Sequence, residues 1–286
     1  MTILQANSPA KINLFLHISD AMKTGYHTLN SLVAFTSDIY DIVSVALADQ
    51  YTLEVKGPFS EQLIGYDNII TTATKILKKT YKINADAKII LTKNLPISSG
   101  IGGGSSNAAT AISLLSKLWK LNITPAEIIF LTQSIGADIA MFYLGKACYI
   151  NGIGEILTPL KKFPQIWAIL INPNIAIPTP KIFKMGLEQY FKTEIHHQYS
   201  FNDINELIYY LKPAKNDLYF NSLQLAPILS HITQTLVNTE GCAINRMSGS
   251  GATCFGLFED AMLARNALIY LKKLYPNYWI KLTTLE

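Results

Sequence analysis

Residues 96–109, Pro-Ile-Ser-Ser-Gly-Ile-Gly-Gly-Gly-Ser-Ser-Asn-Ala-Ala, set four glycines directly ahead of a run with helical periodicity, and nothing else in the chain constrains its fold as tightly. Glycine tolerates φ > 0, so successive backbone NH groups can turn toward one anion, and a following helix adds the positive end of its dipole. Ala108, Ala111, Ile112, Leu115 and Leu118 share one face at helical spacing, which predicts a helix over 107–118 with Ser105 and Ser106 at its entrance. The stretch reads as a phosphate-holding loop between strand and helix. Two familiar phosphate loops do not fit it: no Gly-Lys-Ser/Thr ending is present, and Ser105 stands where a dinucleotide fingerprint starting at Gly100 needs its third glycine.

A chain of 286 residues is longer than one typical domain, and a division into 1–160 and 161–286 is expected. With 49% apolar and 15% charged residues it has material for a large core and is not a disordered chain. The net charge is +4, and Arg246 and Arg265 are the only arginines among dispersed lysines, so no nucleic-acid groove is expected. No apolar run approaches the ~20 residues of a membrane helix, and the start lacks the pattern of a secretion signal, so a cytoplasmic location is expected. Cys148, Cys242 and Cys254 are widely spaced and odd in number, which suits buried thiols better than a disulfide framework or zinc site.

Along the chain, Ile12, Leu14, Leu16 and Ile18 alternate with Lys11, Asn13, Phe15 and His17, predicting a strand with Lys11 and Asn13 on the face opposite the buried one. Further strands are expected at 31–35, 41–47, 52–56 and 87–92, with helices at 68–81 and 125–134. Thr124, Pro125 and Glu127 supply a capping box and first-turn proline for the second of these helices. Beyond residue 145 the pattern predicts strands at 146–150, 166–172, 242–247, 252–258 and 279–284, and helices from 181, over 223–238 and over 260–274. The first half reads as mixed α+β. The second suits an antiparallel sheet with helices on one side.

Beyond the glycine-rich segment, three places could carry chemistry. Asp138, after Gly136-Ala137 and before a small apolar run, is a carboxylate in weakly polar surroundings, either partnered, with Lys11 a candidate, or solvated at a helix end. Tyr26 and His27, in a turn-rich stretch over 20–30, could stack on a flat ring and bond its edge, or simply pack at the surface. His196 and His197 read as solvated. The turn Ser-Gly-Ser-Gly at 248–251, preceded by Arg246, offers further NH groups and could close over phosphates, or serve as a plain hairpin turn.

Taken in order, residues 9–14 (Pro-Ala-Lys-Ile-Asn-Leu), 96–109 and 248–258 resemble the three motifs of the GHMP kinase superfamily. Within it, residues 10–16, Gly25-Tyr-His27, Gly136-Ala-Asp138, Ile177-Pro-Thr-Pro180 with Phe183, Asn216-Asp-Leu218 and residues 246–251 are similar to the branch that uses ATP to phosphorylate the 2-hydroxyl of a methylerythritol carrying cytidine diphosphate, in the non-mevalonate route to isoprenoid precursors. The resemblance implies a two-domain α+β fold, with an N-terminal domain like ribosomal protein S5 domain 2 and a ferredoxin-like C-terminal domain. It also implies that Pro96, Gly100, Gly102, Gly103, Gly104, Ser105 and Ser106 surround the ATP phosphates, with Mg²⁺ carried on them, and that Lys11 and Asp138 are the catalytic pair. Asn13 would steady the substrate, Tyr26 and Phe183 would sandwich the cytosine while His27 reads its edge, and Thr179, Gly249, Ser250 and Gly251 would lie around the phosphates. A superfamily kinase for mevalonate, homoserine or a sugar would have no base for Tyr26 and Phe183 to stack on. A non-catalytic nucleotide sensor would have no use for both Lys11 and Asp138. Two positions depart from the family pattern: Ile101 replaces a leucine at conserved volume, and Ala140 replaces a proline, which bears on the placement of Asp138.

Overall fold

The computed structural model describes residues 2–21, 27–133, 135–186 and 197–286. Two compact units alternate along the chain: Met1–Ala10, Tyr40–Ile97 and Gly102–Gly145 make the first, and Lys11–Ile39, Ser98–Ile101 and Lys146–Glu286 the second. This differs from the contiguous division at 160/161 read from the sequence. The strands β1 (Ile3–Ala21) and β2 (His27–Ala48) each contribute one end to either unit, and local patterning cannot show that a strand is shared in this way.

The first unit continues with β3 (Thr52–Lys56), α1 (Ile69–Tyr81), β4 (Asp86–Thr92), α2 (Gly103–Leu118), α3 (Pro125–Gln133) and α4 (Ile139–Leu144). β4 runs antiparallel to residues 42–48 of β2 and parallel to β3. Val43 and Val45 of β2 and Ile89 and Leu91 of β4 face one way and meet Ile70 and Leu77 of α1 and Ala111 and Leu115 of α2. Each of these valine, leucine and isoleucine side chains contributes roughly 1.5–3 kcal/mol on burial. Asn68 starts α1 by accepting from the Ile70 amide at 3.0 Å. The capping box of α3 forms as expected, with Glu127 Oε2 accepting from Thr124 N at 2.8 Å. At six residues, α4 is too short to show a period in the sequence.

The second unit holds β5 (Cys148–Gly152), β6 (Ile156–Pro159), β7 (Ile166–Asn172), α5 (Thr179–Lys184), α6 (Ile204–Leu211), α7 (Tyr219–Leu225), α8 (Ile228–Val237), β8 (Cys242–Met247), β9 (Cys254–Phe258), α9 (Ala261–Leu274) and β10 (Trp279–Leu285). β5 pairs antiparallel with residues 29–33 of β2 and with β6. From β7 onward the strands lie in the order β10-β7-β9-β8, all antiparallel, the ferredoxin-like arrangement. Ile169, Ile171, Phe258 and Ile280 of the sheet share one core with Leu229, Ile232 and Leu236 of α8 and Ala264 and Leu271 of α9. The expected antiparallel sheet with helices on one side is therefore present. The single helix expected over 223–238 is two, because Pro227 has no NH with which to continue α7 and instead stands at the N-cap of α8. Among the described residues, no helix is long and apolar enough to cross a membrane.

β1 corrects a further expectation. Its alternation over 10–18 holds, yet both faces are covered: Ile12 and Leu14 are inaccessible, and Lys11 and Asn13 are only 5% and 4% exposed. A buried lysine must find partners or lose its charge, so the environment of Lys11 is a functional question.

Candidate active site

In the second unit the polar face of β1 is organised by short-range hydrogen bonds. Lys11 Nζ donates to Asn13 Oδ1, two residues along the strand and on the same face. Asn13 Nδ2 donates to Ser31 Oγ at 2.8 Å, and that hydroxyl donates onward to the Phe15 carbonyl. The amide of Asn13 is thereby oriented with its oxygen toward the ammonium. Ser31 was not singled out in the sequence, because its position opposite Asn13 depends on strand pairing.

The turn at 248–251 joins β8 to β9, with Ser248 N donating to Thr253 O at 2.9 Å, so it is a hairpin connection. It is also clamped to the first half of the glycine-rich segment. Ser248 Oγ accepts from Asn13 N at 3.1 Å and donates to Gly100 O at 3.0 Å, while Thr253 N donates to Ser99 O at 3.1 Å and Lys11 N to Ile101 O at 3.0 Å. Asn216 Nδ2 secures the turn by donating to Met247 O at 2.7 Å and Gly249 O at 2.8 Å. The hydroxyls of Thr179 and Ser250 lie 2.7 Å apart, Thr179 exposed at the start of α5, and Ser222 Oγ donates to Ser250 O. Phe183, on the same helix, packs part-buried against the core of this unit. Tyr26 lies outside the described residues, as does the side chain of His27, whose backbone opens β2.

Two residues take roles other than those expected. Arg246 does not serve phosphates: its Nε, Nη1 and Nη2 donate to the carbonyls of Ala214, Leu14 and Leu211, and burial lowers its pKa to about 10. His197 is half-buried rather than solvated. It stacks on Tyr149 with ring centroids 4.1 Å apart, and its Nε2 pairs with Asn30 Oδ1 at 3.0 Å; His196 lies outside the described residues. Burial pushes the thiols of Cys148, Cys242 and Cys254 up to about 12, which removes them as nucleophiles.

The second half of the glycine-rich segment belongs to the first unit, as do Pro96, which is buried, and Asp138. Gly102 takes a left-handed conformation (φ 69°) as the N-cap of α2, and the helix starts at Gly103, four residues before the expected Asn107. Ser106 N donates to Gly102 O at 2.9 Å, which leaves the amides of Gly103, Gly104 and Ser105 ahead of the helical ladder at the positive end of the dipole. Gly104 is exposed and Ser105 half-buried. Ser106 is different from its neighbour: fully buried, it accepts from Ser8 Oγ at 2.9 Å, so its hydroxyl faces the core of the unit. Asp138 is half-buried at the N-cap of α4, held by Ile139, which packs with Ala108 and Ile112 of α2. Helix α4 forms with Ala140 in its first turn, where Ile139, Ala140 and Met141 are all buried. Among the described residues no group of three His, Cys, Asp or Glu side chains gathers that could hold a metal ion.

Residues 68–146 match the family described as GHMP kinases N terminal domain. The chain is 38% identical to the 4-diphosphocytidyl-2-C-methyl-D-erythritol kinase of Chelativorans sp. (strain BNC1), over 98% of this chain and 95% of that protein. It is 37% identical to the protein of the same name from Rhodospirillum rubrum, over 94% and 88%. A crystal structure of 4-(cytidine 5'-diphospho)-2C-methyl-D-erythritol kinase matches with a TM-score of 0.77 at 28% identity, covering 99% of both chains. Homoserine kinase from Cytophaga hutchinsonii, at a TM-score of 0.73 and 14% identity, shares the fold alone. With its two-domain α+β GHMP kinase fold and that identity over nearly its whole length, the chain belongs to the 4-diphosphocytidyl-2-C-methyl-D-erythritol kinase family.

Proposed function

We propose that this protein transfers the γ-phosphoryl group of ATP to the 2-hydroxyl of 4-diphosphocytidyl-2-C-methyl-D-erythritol. The observation that carries this reading is the start of α2, where Gly102 turns the chain and the amides of 103–105 lead the helix, in a chain similar to these kinases over nearly its full length. Phosphoryl transfer asks mainly for positioning and for neutralisation of charge on the transferred group. The backbone of Gly100 and Gly102–Ser105 supplies donors for the phosphates, with Pro96 stiffening the approach, while Ser106 supports the turn from within. Mg²⁺, carried on the phosphate oxygens with few protein ligands, adds charge neutralisation when bound.

Asp138 accepts the proton of the attacking hydroxyl, and Lys11 lowers the cost of the developing alkoxide. Asn13, its oxygen committed to Lys11 and one N–H to Ser31, steadies the substrate with its second amide hydrogen. Tyr26 and Phe183 hold the cytosine ring with His27 at its edge, and Thr179, Gly249, Ser250 and Gly251 line the diphosphate path.

The test is ATP consumption by the purified protein with the cytidyl substrate beside mevalonate, homoserine and galactose. Turnover confined to the cytidyl substrate supports the reading. Turnover with another alcohol removes the cytosine assignments, and none with any alcohol leaves a nucleotide-binding protein without catalysis. A positioned general base contributes ~10²–10⁴ in rate, so Asp138→Asn is expected to lose that factor in kcat while nucleotide affinity stays. An Asn variant with near wild-type turnover would remove Asp138 from the proton transfer.

A further inference from the structure

The first unit buries an ion pair that the proposed chemistry does not use. Lys93, the residue after β4, is 3% exposed, and Asp41, within β2, is fully inaccessible; Lys93 Nζ donates to Asp41 Oδ2. Asp41 does more than neutralise the ammonium. Its Oδ1 accepts from the backbone of Asn94 at 2.6 Å and Leu95 at 2.8 Å, and its Oδ2 also accepts from Asn107 Nδ2 at 2.8 Å. Asn107 sits in the second turn of α2; its amide nitrogen also donates to Ser8 Oγ at 2.9 Å and its oxygen faces Lys93 Nζ at 3.4 Å. Ser8 in turn donates to Ser106 Oγ. One carboxylate therefore holds the backbone just before Pro96 and the helix just after the glycines.

Lys93 itself lies directly under the first helical residue. A Cβ placed on Gly103 would come within 2.9 Å of its Nζ and 3.5 Å of Leu95 Cδ1. With Lys93 Nζ tied to Asp41, a side chain at 103 would have to displace the ammonium, which opposes the gain of about 1 kcal/mol that alanine would bring to the helix. A buried ion pair is weak evidence for stability, since well-packed apolar residues often serve as well or better. Burial lowers the ammonium's pKa, and the charge and hydrogen bond of Asp41 oppose that shift, so the pair is coupled to the network around it. The placement of its partners, at both ends of the glycine-rich segment, is what a positioning role requires.

We infer that Asp41, acting through Lys93 and Asn107, is a positioning residue for nucleotide binding: it holds the two ends of the glycine-rich segment in one register, so that the amides of 103–105 are aimed before the phosphates arrive. The inference rests on the reading of that segment as the phosphate site. It predicts a selective effect on nucleotide, because the substrate-facing residues Asn13, Thr179 and Phe183 belong to the other unit.

The experiment compares wild type with Asp41→Asn, Lys93→Met and the double variant, measuring thermal unfolding, the Kd of ADP by calorimetry, and KM for ATP and for the cytidyl substrate. Asp41→Asn turns an NH₂ toward Lys93 and Asn107, whereas the double variant removes both charges together. In variants that fold, ADP Kd and KM for ATP are expected to rise at least ~10-fold with KM for the cytidyl substrate within about 2-fold, as for a misaimed binding loop. Folded variants with a lower melting temperature and unchanged ADP affinity would overturn the inference, leaving the pair as core structure. A double variant that cannot fold would overturn it likewise, by assigning the pair to folding. Loss of ADP affinity in the variants of a protein whose wild type turns over no cytidyl substrate would keep the inference and discard the proposed reaction.

Discussion

Gly100→Ala tests the clamp between the glycine-rich segment and the turn at 248–251. An ideal Cβ at this position falls 2.2 Å from Ser248 O, 2.8 Å from Gly251 N and 3.0 Å from Gly251 O, all backbone atoms, in a range that real Cβ atoms essentially never show below 3.0 Å. No side chain can swing aside, and Ser248 O is already bonded to Gly251 N at 3.0 Å, so relief means shifting segment 98–101 from the turn by about 1 Å. A misplacement of that size in a reacting constellation costs on the order of 10²-fold in rate, about 2.7 kcal/mol of barrier. Gly100 also has φ +78°, which alanine disfavours by roughly 1–2 kcal/mol wherever it occurs. Gly65 separates the two effects, because it has φ +81° with nothing within 4 Å of a Cβ. The assay is kcat and KM for both substrates together with thermal unfolding, on Gly100→Ala and Gly65→Ala. Both variants are expected to lose stability, and only Gly100→Ala to lose about 10² in kcat/KM. Equal activities in the two variants would refute the argument, since conformational strain alone would then account for everything seen.

Lys11→Met should lower kcat far more than it raises KM for either substrate, since the ammonium is assigned to the developing alkoxide; an effect confined to KM would make Lys11 a binding residue. His17 should make stability pH-dependent. Burial, then the charges of Arg246 and Lys215, lower its pKa to about 4, and its Nε2 accepts from Lys215 N at 3.0 Å, a bond that protonation would abolish. The unfolded chain, with a histidine pKa near 6.5, binds more protons between those values, so this contribution is complete above pH 6.5 and is lost as pH falls toward 4. Unfolding free energies from urea titrations across that window should show a loss of about 1–2 kcal/mol after allowance for screening, and a flatter profile in His17→Gln. Parallel profiles for wild type and variant would assign the pH dependence to other groups. Asp260→Ala removes the acceptor of the Met262 and Leu263 amides, both at 2.8 Å, and should cost about 1 kcal/mol in unfolding free energy with activity unchanged. No loss of stability would mean that water replaces this cap.

Where structure is decided by neighbours in sequence, the chain was legible. The alternation along β1, the extent of α1, the capping box of α3 and the strand–turn–strand of β8 and β9 are set within a few residues of themselves. Elements of four to eight residues, such as β6, α4 and α6, have too few turns to show a period and were missed. The start of α2 differs for a physical reason: Gly103 and Gly104 look like loop by propensity, and a Cβ on Gly103 would press on the Lys93 ammonium at 2.9 Å, a contact made only in the folded unit.

By itself the sequence determined the kinds of parts this protein has, a glycine-rich turn entering a helix, a buried-face strand bearing Lys11 and Asn13, and a second half built as an antiparallel sheet under helices. Those features follow from spacing and backbone freedom, which are local. Tertiary structure alone decided which polar groups are buried and what they meet: Arg246 spent on three carbonyls, Ser106 turned inward to Ser8, His197 stacked on Tyr149, and Asp41 joined to Lys93 across 52 residues of chain. A polar side chain carries no sequence mark of its partner, because the cost of leaving it unpaired is settled only when strands and helices bring distant residues within hydrogen-bond reach.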